Sequence, residues 1–379
     1  MTIRLLITAR DVAAALHLIQ IAKHCKSDPR FELIVAAQQP AARHFMEAGF
    51  SVRLVPPMMA QFADGAQAEL LRAMARQLLD DIAPDAILVG LSTPFDAGLD
   101  EAMLAVAEVP TILFQDFWGE QNLILGTAAD MVLAVDAEAA KLNMERFGIA
   151  SRVVGSARHA AYIQMDITEI RGRIRKRLQV KPEEIVIGFF GQALHSLPGY
   201  ARTLDRFVEA LQDLDRPFKL IVRPHPREDE FQKKKTESLF TDSGIAPSFD
   251  LEGSVENSLL ACDVVCSLFS TCTYDAAYLN RFSKEPIAVP ISMLFDAEIE
   301  TYCRQHVNFS SFPYHTYEVV IPVFQSAMLT ETIVRSLEPQ RRREIWANSQ
   351  KHLSDPAEAP QNSLNEIYNF ILPTTNGRT

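Results

Sequence analysis

Short, almost uninterrupted apolar runs recur along the first half of the chain, separated by longer stretches whose apolar residues return every three or four positions. Residues 3–8, 31–36, 51–55, 86–90, 111–114 and 131–135 are runs of strand length; 12–26, about 40–48 and roughly 66–81 carry helical spacing. Strands apolar on both faces belong to a parallel sheet covered on both sides, and right-handed crossovers make such a sheet doubly wound. The alternation pauses around Gly155, and 167–178 reads as a charged amphipathic helix followed by Lys181-Pro182. A second series then begins, with strands at 185–190, 220–223, 264–267 and 286–289, and 339–371 reads as polar helix broken near Asp355-Pro356. The pattern predicts an α/β chain of two Rossmann-like doubly wound domains facing a cleft. The first covers 1–160, a linker helix 161–182, the second domain 183–335, and C-terminal helices and tail 336–379.

The bulk numbers agree with two cores. The chain has 379 residues, 48% of them hydrophobic and 22% charged, enough to fill two globular interiors. A net charge of −11 argues against a nucleic-acid partner, whose footprint is basic. The five cysteines show no paired metal spacing; Cys262 and Cys266 flank an apolar strand, and reduced thiols are expected rather than zinc ligands. The first residues open directly on a strand, without the features of a signal peptide, and no apolar run approaches the ~18 residues of a membrane helix. A cytoplasmic protein is expected.

The chemistry concentrates at strand ends. Lys219 to Val222 runs apolar into Arg223-Pro224-His225-Pro226-Arg227, and Asp263 to Cys266 runs into Ser267-Leu268-Phe269-Ser270-Thr271. Two prolines fix the path around His225, which can offer an imidazole N–H or a positive charge to a phosphate. Ser267, Ser270, Thr271 and Thr273 precede or open a helix. One hydroxyl is explained by N-capping; four at a helix start make an anion site. Asp275 lies one turn on, able to meet a ribose hydroxyl or simply to complement the helix dipole. Gly191-Gln192 follows the strand 185–190 and allows close backbone approach. In the first half, Asp11 is either the N-cap of the first helix or a base. Asp116, Trp118, Glu120 and Asn122 form a polar cluster suited to sugar recognition, with Asp96 and Asp100 weaker candidates of that kind. The runs 233–235 and 341–343 read as solvated basic helix faces, the alternative being peripheral contact with anionic lipid or a polyanionic acceptor.

The segments Arg223-Pro224-His225-Pro226 and Asp263 to Thr271, followed by Asp275-Ala276-Ala277, resemble glycosyltransferases of the GT-B fold. The similarity is to bacterial sialyl-, polysialyl- and Kdo-transferases and to the glycerophosphotransferases of teichoic acid synthesis, which use CMP- or CDP-linked donors. Phe189-Phe190-Gly191-Gln192 looks like the donor-side loop of the sialyltransferases, and 129–155 is similar to the stretch entering the interdomain linker. The resemblance implies an acceptor-side first domain and a nucleotide-donor second domain. It also implies that Gly191, Gln192, Arg223, His225, Ser267, Ser270, Thr271 and Asp275 bind the donor, with His225 stabilising the leaving phosphate. The acidic pair that carries the base in several sialyltransferases is not evident here, so Asp11 and Asp116 stand as candidates.

The expected activity is inverting transfer of a sugar from a nucleotide-activated donor to an acceptor hydroxyl, in surface glycan or glycoconjugate synthesis. No cofactor or metal is expected. The alternatives are a UDP-GlcNAc 2-epimerase-like enzyme and a catalytically silent nucleotide-sugar-binding protein.

Overall fold

The computed structural model describes residues 2–249, 253–307 and 312–375, with side chains through 372. The chain divides into two compact units. Unit 1 is Met1–Ile163 together with Ser354–Thr379, and unit 2 is Gln164–Leu353.

Unit 1 is built on a seven-stranded parallel sheet: β1 (Ile3–Ala9), β2 (Phe31–Ala37), β3 (Arg53–Leu54), β4 (Ala86–Gly90), β5 (Thr111–Gln115), β6 (Met131–Ala134) and β7 (Ser151–Val153). Their order is β3-β2-β1-β4-β5-β6-β7, so the chain winds outward from β1 and returns to wind the other way from β4. β4 and β5 are buried at every position, as strands covered on both faces must be. Gly90 ends β4 because a Cβ there would lie 2.6 Å from that of Ala14, on the helix Val12–Cys25.

Unit 2 repeats the plan with six strands: β8 (Ile185–Phe190), β9 (Phe218–Arg223), β10 (Pro247–Phe249), β11 (Val264–Ser267), β12 (Val289–Met293) and β13 (Ile321–Val323). They lie in the order β10-β9-β8-β11-β12-β13. Both units are therefore Rossmann-like doubly wound sheets. Each has a point where the winding reverses, between β1 and β4 in one and between β8 and β11 in the other. Crevices for ligands open at the carboxyl ends of strands flanking such a point.

Three readings of the sequence shift. The strand expected at 286–289 begins only at Val289 and runs to Met293, through Pro290. Val289 donates to Asp263 on the β11 side, so by alternation the N–H that Pro290 lacks falls on the β13 side, where pairing starts only at Ile291. The Asn280 side chain holds residues 287–288 out of the sheet, accepting from Ile287 N at 3.0 Å and donating to Ala288 O at 2.6 Å. The helix expected as a linker, Ile167–Arg177, packs within unit 2 against the helix Val255–Ala261. The C-terminal helices separate. Pro339–His352 packs on Thr271–Phe282 in unit 2, whereas Ala359–Thr375 packs on Val12–Cys25 in unit 1. Arg30 fixes that last helix, donating to Asn365 at 2.8 Å and stacking its guanidinium 4.8 Å from the Tyr368 ring. No helix among the described residues is long and apolar enough to cross a membrane.

Candidate active site

At the switch point of unit 2, side chains stitch the strand ends together. Ser267, fully buried, donates its hydroxyl to Phe190 O at 2.6 Å, so it joins β11 to β8. Gln192 accepts from Phe269 N at 2.9 Å, tying the loop after β8 to the loop after β11. Ser270 is the N-cap of the helix Thr271–Phe282: its backbone is extended and its hydroxyl accepts from Cys272 N at 3.2 Å. Thr273 donates back to Ser270 O at 2.9 Å. Ser270 and Thr271 are half-exposed, whereas Asp275 is buried one turn further in. The expected donor-side residues thus fall into two groups: Ser270 and Thr271 face out at a helix start, and Ser267 and Asp275 lie inside.

The loop after β9 brings the cations. Arg223 reaches sideways, donating to Ser258 Oγ and to Gly253 O, both at 3.0 Å. His225 Nδ1 accepts from Arg227 N–H at 3.2 Å. An imidazole nitrogen that accepts carries no proton, so the neutral ring holds its proton on Nε2 as a donor.

The buried hub under this loop was not foreseen from sequence. Glu228, its side chain 1% exposed, accepts from His225 N–H at 2.9 Å and lies 3.2 Å from His195 Nε2. His195 in turn packs edge-on against the Tyr200 ring, 4.9 Å between centroids. The Tyr200 hydroxyl accepts from Gln192 N at 3.3 Å. Burial, and then the nearby Glu228 carboxylate, hold its phenol well above the ordinary range. Gly191 has room for no side chain: a Cβ would lie 2.9 Å from Glu228 Oε1. One carboxylate thus positions the loops after β8 and β9 together. The available signal was the spacing of His225 and Glu228, three apart at the head of the helix Glu230–Asp242.

In unit 1 the carboxyl ends of β1, β4 and β5 carry acids. Asp11 occupies the N-cap position of the helix Val12–Cys25 but makes no capping bond; its Oδ2 accepts from Thr93 N at 2.9 Å, across the switch point. Arg10, buried, clamps the same loop through an ion pair with Asp96 and bonds to Ser92 Oγ at 2.8 Å and Asp96 O at 3.1 Å. Asp100 accepts from Thr8 Oγ1 at 2.6 Å, and burial followed by the charge of Glu101 pushes it well above the usual carboxylate range. Asn122 donates to Thr93 O and Asp96 O, and Trp118 is buried with its indole N–H on Asp136 at 2.8 Å, so both serve packing. Two acids of that cluster keep a different character. Burial, then the charge of Asp11, pushes the half-buried Asp116 up to about 7. Burial does the same to Glu120, also up to about 7. Carboxylates titrating near neutrality have the affinity a general base needs. Among the described residues, no three His, Cys, Asp or Glu side chains gather as a metal-binding group.

Neither a protein-family model nor a curated protein sequence matches the chain. Solved structures do. The UDP-GlcNAc 2-epimerase of Neisseria meningitidis bound to UDP-GlcNAc is similar with a TM-score of 0.69, at 11% identity over 97% of this chain and 100% of that one. Anabaena Alr3699/HepE, in complex with UDP and glucose, gives 0.65 at 15% identity over 97% and 100%. MurG of Acinetobacter baumannii gives 0.59 at 12% identity over 98% and 99%. At these identities the likeness establishes the fold: two Rossmann-like domains of the GT-B type, with helices at the C-terminus.

Proposed function

We propose that this chain is a nucleotide-sugar-dependent glycosyltransferase whose donor nucleotide is bound by unit 2. The observation that carries the reading is the wall in unit 2, where His225, its proton held on Nε2, and the helix start at Ser270 and Thr271 flank the switch point. A leaving phosphate there meets the His225 imidazole and the positive end of a helix. In this reading Asp116 takes the acceptor hydroxyl's proton as that oxygen attacks the anomeric carbon, and inversion follows from the single displacement. Asp116 is preferred because its carboxyl is pushed up to about 7, near working pH, whereas an oxygen of Asp11 is taken by Thr93 N–H. The leaving-group charge is met by side chains and the helix start, so the proposal calls for no cofactor.

For the donor, the resemblance of the His225 and Ser270 segments argues for cytidine nucleotides. The fold neighbours solved with UDP or UDP-GlcNAc argue for uridine. A pyrimidine nucleotide satisfies both. A second reading, a sugar-nucleotide epimerase, is favoured by the epimerase among the fold neighbours and by paired acids poised for proton abstraction.

The test is a thermal-shift screen with CMP, CDP, UDP and GDP, since a ligand of the native state raises its melting temperature. Incubation with the corresponding sugar nucleotides, with and without hydroxyl acceptors, follows. Acceptor-dependent transfer is expected, and His225→Ala should lower it about a hundredfold or more with the fold intact. Isomerised donor without an acceptor selects the epimerase instead. Unchanged turnover in the His225→Ala protein sinks both roles given to His225.

A further inference from the structure

The amino ends of the unit 2 strands carry a second charged centre, at the opposite edge of the sheet from His225 and Ser270. Asp263, the residue before β11, accepts from Val186 N at 2.8 Å. It meets Arg171 at 2.6 Å, Arg175 at 2.9 Å and Arg342 at 3.6 Å. Arg171 also donates to Leu260 O and Cys262 O, and Arg175 to Ala261 O, so both close the carboxyl end of the helix Val255–Ala261. That accounts for two of the guanidiniums.

Arg342 differs. Its Nη2 donates to Pro286 O and Ile287 O, while its Nε is buried with no acceptor among the described residues. Beside it lies an open cavity of about 430 Å³, whose charged lining is Arg171, Arg342, Arg343 and Glu285. The run 341–343, which reads from sequence as a solvated helix face, thus turns one arginine inward and sets another at a cavity rim. Counting Arg175, four guanidiniums stand against Asp263 and Glu285. Two positive charges are left over in a chain whose net charge is −11. The planar fork of arginine suits phosphate oxygens.

We propose that this cavity binds a phosphate-bearing ligand, at a site separate from the nucleotide wall, with the guanidiniums of Arg342 and Arg343, which line it, as the donors. A phosphate dianion balances the local charge. The phosphate can be free or on a lipid headgroup.

The test uses the full chain carrying His225→Ala, so that the nucleotide wall is disabled, with its arginines isotope-labelled for NMR. Titration with inorganic phosphate should shift the Arg342 Nε–H resonance saturably. Arg343→Glu should weaken that binding about tenfold and Glu285→Gln should tighten it about threefold, as expected for one charge near the ligand. Neither residue makes a bond on which the fold depends. In a parallel arm, co-sedimentation with phosphatidic acid vesicles that requires Arg343 identifies a headgroup as the source. If the shift stays linear in phosphate and the vesicles are not bound, or if neither substitution changes affinity, the site is overturned.

Discussion

Replacing Glu228 by alanine gives the sharpest test of how the loops after β8 and β9 are held. The substitution removes the buried carboxylate that accepts from His225 N–H at 2.9 Å and sits 3.2 Å from His195 Nε2. Hydrogen bonds to a charged group are worth about 1.5–3 kcal/mol each, so losing two costs roughly 3–6 kcal/mol. For a unit of this size that lowers the melting temperature by roughly 6–24 °C, at about 2–4 °C per kcal/mol. Glu228→Gln keeps an oxygen for the His225 N–H and an amide that can donate to His195, and should recover about half of the loss. Calorimetry of both variants, followed by titration with the nucleotide that shifts the wild type most, separates positioning from bulk stability. Glutamine should restore nucleotide affinity more than alanine does. An alanine variant that melts within about 2 °C of wild type and binds nucleotide equally well refutes the hub.

Asp116 makes a pH prediction. Its carboxyl is held at about 7 in the folded chain, above the ordinary value of about 4, so the folded state keeps the proton more tightly between those limits. Stability is lost as pH rises through that window, and Asp116→Asn should gain melting temperature over wild type at pH 8 while matching it near pH 4. The basic role predicts kcat/KM rising with pH to a midpoint near 7, a limb absent in Asp116→Asn; a profile unchanged by the substitution removes Asp116 as the base. Gly191→Ala would place a Cβ 2.9 Å from Glu228 Oε1 and 3.2 Å from Tyr200 Oη, overpacking that costs about 1–3 kcal/mol and weakens nucleotide binding. A fully stable Gly191→Ala protein with wild-type nucleotide affinity contradicts that crowding.

The doubly wound layout was legible because strands buried on both faces leave unbroken apolar runs, as in 86–90 and 185–190. The placement of Arg223, His225, Ser270 and Thr271 at strand ends was legible too, since they follow directly on such runs. What local pattern does not carry is which polar residues turn inward. Ser267 and Ser270 are three residues apart with the same hydroxyl, yet one bonds to a carbonyl 77 residues earlier and the other caps a helix. Glu228 carries no local signal of its role, since only the folding of β8 beside β9 brings His195 to it. Arg342 was lost in a run of three identical residues, where helix phase rather than composition decides which one points inside. Pro290 read as a strand end because its missing donor matters only on one side, and neighbour order is a tertiary fact.

The return of the helix Ala359–Thr375 to unit 1 sets an order of events during synthesis. Unit 2 is one continuous segment and is complete once Leu353 has left the ribosome. Unit 1, though its sheet is translated first, lacks its cover over Val12–Cys25 until Leu364, Ile367 and Ile371 emerge. The later-made unit can therefore finish folding first, while the earlier one waits with an apolar helix face open to chaperones. A gene cut after residue 163 would encode a sheet that never receives its last helix, whereas residues 164–353 form a self-contained piece for expression.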